Sequence, residues 1–224
     1  MGTDDLFHKR KARARSAKQL SRRSPKRAPY AKILIVCEGE KTEPNYFSEI
    51  QEYYEISTAN VEIAGESGSS PKSIFQYARR RYLEAKDKGD RFDKVFCVFD
   101  KDTHETYNDA CKAIKNATPK NTFYSITSVP SFEYWLLLHF IYTTKPYTEL
   151  PGKSSGKQVI NDLKSYMPDY NKSNKGIFLD LIDQLPQAKA YAKKTLEIAI
   201  KNNTDNPTTH IHCLVEFMEN IKNQ

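Results

Sequence analysis

From residue 33 onward the chain alternates short, wholly apolar runs with longer segments whose apolar residues recur at helical spacing. ILIVC (33–37) and VFCVF (95–99) are continuous apolar runs, as expected of parallel strands covered on both faces. Weaker strands are expected at 61–64 and 122–127. After the first run, Tyr46, Phe47, Ile50, Tyr53 and Tyr54 fall on one helical stripe. Thr42 is placed to cap that helix, and Pro44 sits in its first turn, where no amide donor is needed. Ile74, Ala78, Tyr82 and Ala85 mark a helix over about 71–86, and another is expected near 106–115. In SVPSFEYWLLLHF (128–140), Phe132, Trp135, Leu136 and His139 share a face and predict a fourth helix.

This alternation predicts an α/β fold, a doubly wound and mainly parallel sheet flanked by helices. TTKPYTELPGKSSGK (143–157) reads as a loop. Beyond it the periodicity predicts helices only, at 159–167, 177–185, 187–201 and 209–221. The expected organisation is a basic, mobile N-terminal segment (1–32), an α/β core (33–142), and a loop with C-terminal helices packed on that core (143–224).

Charge sharpens the first boundary. The 224 residues carry a net +7, but residues 1–32 hold 11 of the 35 Lys and Arg against two acids, so the remaining 192 residues sum to −2. Arg10, Lys11, Arg13, Arg15, Arg22, Arg23, Lys26 and Arg27 are candidates for nucleic-acid contact, because a cation that neutralises a phosphate releases counterions. A solvated, solubilising tail explains the same residues equally well. No apolar run approaches the roughly 18 residues needed to span a bilayer, and no apolar h-region marks a secretory signal. An Arg-rich, Ser-containing start also suits a mitochondrial transit peptide, against which Asp4 and Asp5 weigh. Cys37, Cys97, Cys111 and Cys213 form no CxxC pair, so a reduced, cytoplasmic setting is the simplest expectation. No membrane partner is expected, and a homo-oligomer is compatible with the chain.

The chemistry is expected where the strands end, since open α/β sheets bind ligands beyond the carboxyl ends of their strands. The first strong strand runs into Glu38, with Gly39 for the turn and Glu40 and Glu43 following; the second ends at Asp100, with Asp102 two residues on. Glu133 opens the helix after the next strand. Carboxylates gathered this way stay ionised only beside a cation, and an all-oxygen set suits Mg²⁺ or Mn²⁺ better than zinc. That donor set points to phosphoryl transfer, with two ions as one arrangement. Plainer readings exist: Glu43 alone suits compensation of a helix dipole, a DxD is common by chance, and Glu40 suits surface charge. Glu133 has more to explain, because it leads a stripe that continues with Leu137 and Phe140. His139 reads as a core histidine, His104 is placed near the DxD, and His210 and His212 read as cap or surface residues. No GxGxxG follows a strand and no GxxxxGK[ST] occurs, so a nucleotide-binding ATPase is not expected.

The strand ending in EG and the strand ending in DxD resemble the Toprim signature. LIVCEGEKTEPNYF, VFCVFDKDTH, SVPSFEYWLLLHF and NPTTHIHCLVEFM together resemble the RloB family, from about residue 33 to 220. The resemblance implies a Toprim/Rossmann-like sheet and a metal-dependent nuclease akin to the overcoming-lysogenization-defect nucleases. It also implies an AAA-type ATPase partner and a role in anti-phage or abortive-infection defence. By position, Glu38 matches the Toprim glutamate, which binds metal or acts in acid/base catalysis. Asp100 and Asp102 match the metal-binding DxD, and Glu43 and Glu133 match acids around a second metal. A downstream lysine is expected to stabilise charge on the phosphate, with Lys172 the candidate and Lys175 and Lys41 as alternatives. DNA and RNA remain equally open as substrates. A non-catalytic Mg²⁺-binding regulatory module and a different phosphoryl-transfer enzyme are the competing readings.

Overall fold

The apolar runs become strands of a five-stranded sheet in the computed structural model, which describes residues 28–65, 68, 70–101 and 105–223. The strands are β1 (Ile33–Cys37), β2 (Val61–Ala64), β3 (Lys94–Asp100), β4 (Phe123–Val129) and β5 (Thr208–Thr209). Their order across the sheet is β2-β1-β3-β4-β5, with β2, β1, β3 and β4 parallel and β5 antiparallel to β4. The helices are α1 (Thr42–Tyr53), α2 (Pro71–Asp87), α3 (Tyr107–Asn116), α4 (Glu133–Leu137), α5 (Ser155–Lys164), α6 (Ile177–Leu181), α7 (Leu185–Lys201) and α8 (Ile211–Glu219). The chain is thus α/β, with a mostly parallel sheet flanked by helices.

Strand β1 is apolar throughout because both its faces are covered. Its residues alternate between two cores: Ile33, Ile35 and Cys37 face one, Leu34 and Val36 the other. On the first side α1 and the helices beyond residue 150 pack together; on the second, α2 and α3 do. Full burial of each aliphatic side chain contributes about 1.5–3 kcal/mol, so β1 anchors both layers at once. Trp135, fully buried in α4, donates its indole N–H to Tyr46 Oη of α1 at 2.8 Å, which removes the desolvation cost of that donor. The second crossover is started by a reciprocal cap, in which Ser70 and Ser73 satisfy each other's backbone amides and Pro71 opens α2.

Three expectations are corrected. The C-terminal part is not helical throughout: Thr208 and Thr209 pair with Val129 and Ser128 as β5. Two residues carry no periodicity, so only the neighbouring strand defines them. The helix expected over 177–185 is α6 followed by a 3₁₀ turn, Ile182–Gln184. Finally, α4 is five residues long and buried on every side, so it has no single apolar face. Among the described residues no helix is long and apolar enough to cross a membrane.

Candidate active site

Two connections leave the sheet in opposite directions from its middle. From β1 the chain goes to β2 on one side; from β2 it returns past β1 to β3. The crevice between the carboxyl ends of β1 and β3 is therefore the switch point where such sheets bind ligands. Register places the acids there directly, since Cys37 pairs with Val98, leaving Glu38 just past β1 and Asp100 at the end of β3. The Glu38 N–H donates to the Val98 carbonyl (3.1 Å), and the Asp100 N–H donates to Glu38 Oε2 (3.0 Å).

Glu43, in the first turn of α1, and Glu133, the first residue of α4, complete the group. Glu38, Glu43, Asp100 and Glu133 line one cleft of about 410 Å³ together with Gly39, Glu40, Lys41, Thr42, Phe132 and Lys172. Glu43 is 7% exposed and Glu133 1%. Burial first, then the neighbouring Glu133 and Glu38 charges, push the Glu43 carboxyl up to about 7 against the pull of Lys172. Asp100 is driven well above the ordinary carboxylate range by burial and by Glu43, Glu133 and Glu38, although the Phe132 N–H donates to it.

Glu133 is held from several sides. Its Oε2 accepts from Ser131 Oγ (2.6 Å), and its Oε1 accepts from Tyr170 Oη (3.0 Å) and lies 3.4 Å from Lys172 Nζ. Burial would lower the Lys172 ammonium, but Glu133, Asp100 and Glu43 outweigh it and the group is raised. The lysine side chain is 63% exposed, so this pair adds little to stability and its effect is to place a cation over the acids.

Of the sequence-predicted residues, Glu38, Glu43, Asp100, Glu133 and Lys172 are brought to one cleft. Glu40 and Lys41 also line it and are exposed, whereas Lys175 does not line it. Asp102, His104 and the basic residues Arg10, Lys11, Arg13, Arg15, Arg22, Arg23, Lys26 and Arg27 lie outside the described residues. His139 is 1% exposed, with Nδ1 3.1 Å from the Trp135 carbonyl and its ring edge-on to Trp135. His210 sits at the N-terminal boundary of α8 with its ring on Thr127, while His212 is 3% exposed, which corrects the expectation of a surface residue.

Two local expectations are also corrected. Thr42 is the first residue of α1 and makes no cap; its Oγ1 donates to the Lys172 carbonyl at 2.6 Å. Gly39 does not adopt a positive φ for a turn. It is small because a Cβ there would come within 2.8 Å of Glu43 Oε2. Sequence reasoning missed Ser131 and Tyr170, whose only local signal is adjacency to Glu133 and Lys172.

The donor set suits a hard divalent cation. Two of the buried carboxyls are pushed toward protonation, so a positive charge beyond Lys172 would relieve a repulsion the fold has built in. Among the described residues no three His, Cys, Asp or Glu side chains are already at metal-ligand spacing. Mg²⁺ in particular takes few protein ligands and keeps several waters.

Comparison with known proteins adds one match. The family model described as RloB-like protein matches residues 33–218. No curated protein matches the chain, and no solved structure does. The matched span runs from the start of β1 into α8 and takes in every element that builds the cleft, so the chain belongs to the RloB-like family.

Proposed function

We propose that this protein is a divalent-metal-dependent nuclease of Toprim type that hydrolyses phosphodiester bonds in DNA or RNA. The observation that carries the reading is the convergence of Glu38, Glu43, Asp100 and Glu133 with Lys172 in one cleft at the sheet's switch point. Glu38, Glu43, Asp100 and the neighbouring Asp102 would hold Mg²⁺ or Mn²⁺, as one ion or two. When bound, such an ion polarises a phosphate oxygen and lowers the pKa of water. Glu38 stands between the two strands, where it can take a proton from an attacking water. Lys172 offers a positive charge to the phosphate as charge develops on it. The basic residues before position 28 would hold the nucleic-acid backbone without reading sequence. By family resemblance the reading extends to anti-phage or abortive-infection defence and to an AAA-type ATPase as partner.

The test is incubation of the purified protein, alone and with the ATPase, with plasmid DNA and total RNA in Mg²⁺ and Mn²⁺. Cleavage is expected in the wild type and lost in Glu38→Gln and Asp100→Asn. Unchanged cleavage in both variants would reject the site. Absence of cleavage under all conditions, with metal and nucleic acid still bound, would favour a non-catalytic regulatory module instead.

A further inference from the structure

The loop that carries Lys172 is fastened at three points. Helix α1 supplies two of them: Thr42 Oγ1 donates to the Lys172 carbonyl (2.6 Å), and the Glu49 carboxylate accepts the N–H groups of Gly176 (2.5 Å) and Phe178 (2.9 Å). Thr42 and Glu49 are seven residues apart, about two helical turns, so they grip the loop from one face of α1 roughly 10 Å apart. The third point is Tyr170, 2% exposed, whose hydroxyl donates to the Glu133 oxygen that faces Lys172 Nζ.

A lysine in a surface loop ordinarily samples many rotamers, and restricting it costs side-chain entropy. These fastenings do not bury the ammonium. They fix the two things that decide where it points, its own backbone and its counter-ion.

We infer that Thr42 and Tyr170 are positioning residues for Lys172: Thr42 holds its main chain, and Tyr170 sets the Glu133 carboxylate that aims its ammonium into the cleft. The use of that aim, steadying a phosphate, rests on the nuclease reading; the positioning itself does not. Neither hydroxyl needs to touch a reacting atom.

The test uses the full-length protein with its lysines reductively ¹³C-methylated and no metal or substrate present. The Lys172 resonance is identified by its loss in Lys172→Arg and is expected apart from those of freely exposed lysines. Tyr170→Phe and Thr42→Val keep the ring and the side-chain shape but remove the hydroxyl, and the remaining lysine signals report that the fold is intact. Each is expected to move the Lys172 signal to the exposed-lysine position, and Thr42→Ser to return it. In the cleavage assay, both hydroxyl-free variants should lower kcat by about tenfold or more with KM little changed, and add nothing in a Lys172→Ala background. An unmoved resonance in both variants, or rate losses that add to that of Lys172→Ala, would overturn the assignment. If the wild type does not cleave, the nuclease reading falls and the resonance alone decides the positioning.

Discussion

Glu38 is held by the strand that delivers Asp100: the Asp100 backbone N–H donates to Glu38 Oε2 across the gap between β1 and β3. A glutamine at 38 can accept the same bond, so the substitution removes charge and leaves the scaffold. Glu38→Gln should therefore lose cleavage by at least about a hundredfold while its melting temperature stays close to the wild type. Asp100→Asn should lose cleavage as well but stabilise the metal-free protein. Relief of like-charge repulsion there is on the order of 1 kcal/mol, read as a rise in the urea midpoint.

Glu43 gives the site a pH signature. Its carboxyl titrates at about 7 in the fold against 4.5 ordinarily, chiefly through burial, so the folded state binds this proton more tightly. The stability it contributes is complete below the unfolded value and lost as pH rises through the folded one. Relative to the wild type, Glu43→Gln should gain on the order of 1–3 kcal/mol between about pH 5 and pH 8 without divalent cations, measured by urea unfolding. A difference independent of pH would contradict the assignment.

His139 acts in the opposite sense. Burial depresses its imidazole to about 4 from 6.5, so the stability it contributes is present above the unfolded value and lost as pH falls through the folded one. His139→Phe should thus lose less stability than the wild type between about pH 6.5 and pH 4. Equal acid sensitivity of the two proteins would show that this ring is not what makes the core acid-labile. His212, also depressed to about 4 by burial, contributes in the same direction and is the matched control.

The two glycines beside the cleft should separate activity from stability. At Gly39 an added methyl meets only the end of the Glu43 side chain, at 2.8 Å. Gly39→Ala should leave the melting temperature nearly unchanged and weaken Mn²⁺ binding, by moving Glu43. At Gly65 the methyl meets the Gly39 carbonyl and Pro44 Cγ at 2.8 Å and Glu40 Cα at 3.0 Å, which are backbone and ring atoms. Gly65→Ala should cost about 1–3 kcal/mol of stability, the usual range for overpacking.

Removal of residues 1–27 tests the basic segment. Among the described residues, the contacts that close the bottom of the sheet begin at Ala28, whose N–H donates to Asn60 Oδ1 and whose carbonyl accepts from Asn60 Nδ2. The truncated protein should keep its melting temperature but bind nucleic acid more weakly. Its log K against log salt should flatten by up to about 0.9 per lost phosphate contact on duplex DNA. An unchanged slope would assign the segment to another purpose.

Strands β1 and β3 were legible because burial on both faces demands continuous apolar runs, and the ends of these two runs named Glu38 and Asp100. Glu133 was legible because an acid leading an apolar stripe has no local reason. Thr42 was misread: a threonine before a helix has the composition of a cap, and nothing nearby reveals that its hydroxyl serves a carbonyl 130 residues away. Ser131 and Tyr170 were missed for the same reason, since a partner brought by the fold leaves no periodicity. Strand β5 was unreadable because two threonines become a strand only through the edge of β4. His212 was placed outside because the face of α8 that packs inward depends on a neighbour the sequence does not show.

Helix α1 carries Glu43 at its first turn and grips the Lys172 loop through Thr42 and Glu49. Acid and lysine therefore ride on one rigid mount, while Glu38 and Asp100 are fixed to the sheet. A displacement of α1, for instance at its far end where Tyr54 Oη meets Glu219 of α8, would carry Glu43 and the Lys172 main chain relative to Glu38 and Asp100. The room between the two groups of side chains, and with it the space for an ion, is therefore set by where α1 sits against the sheet.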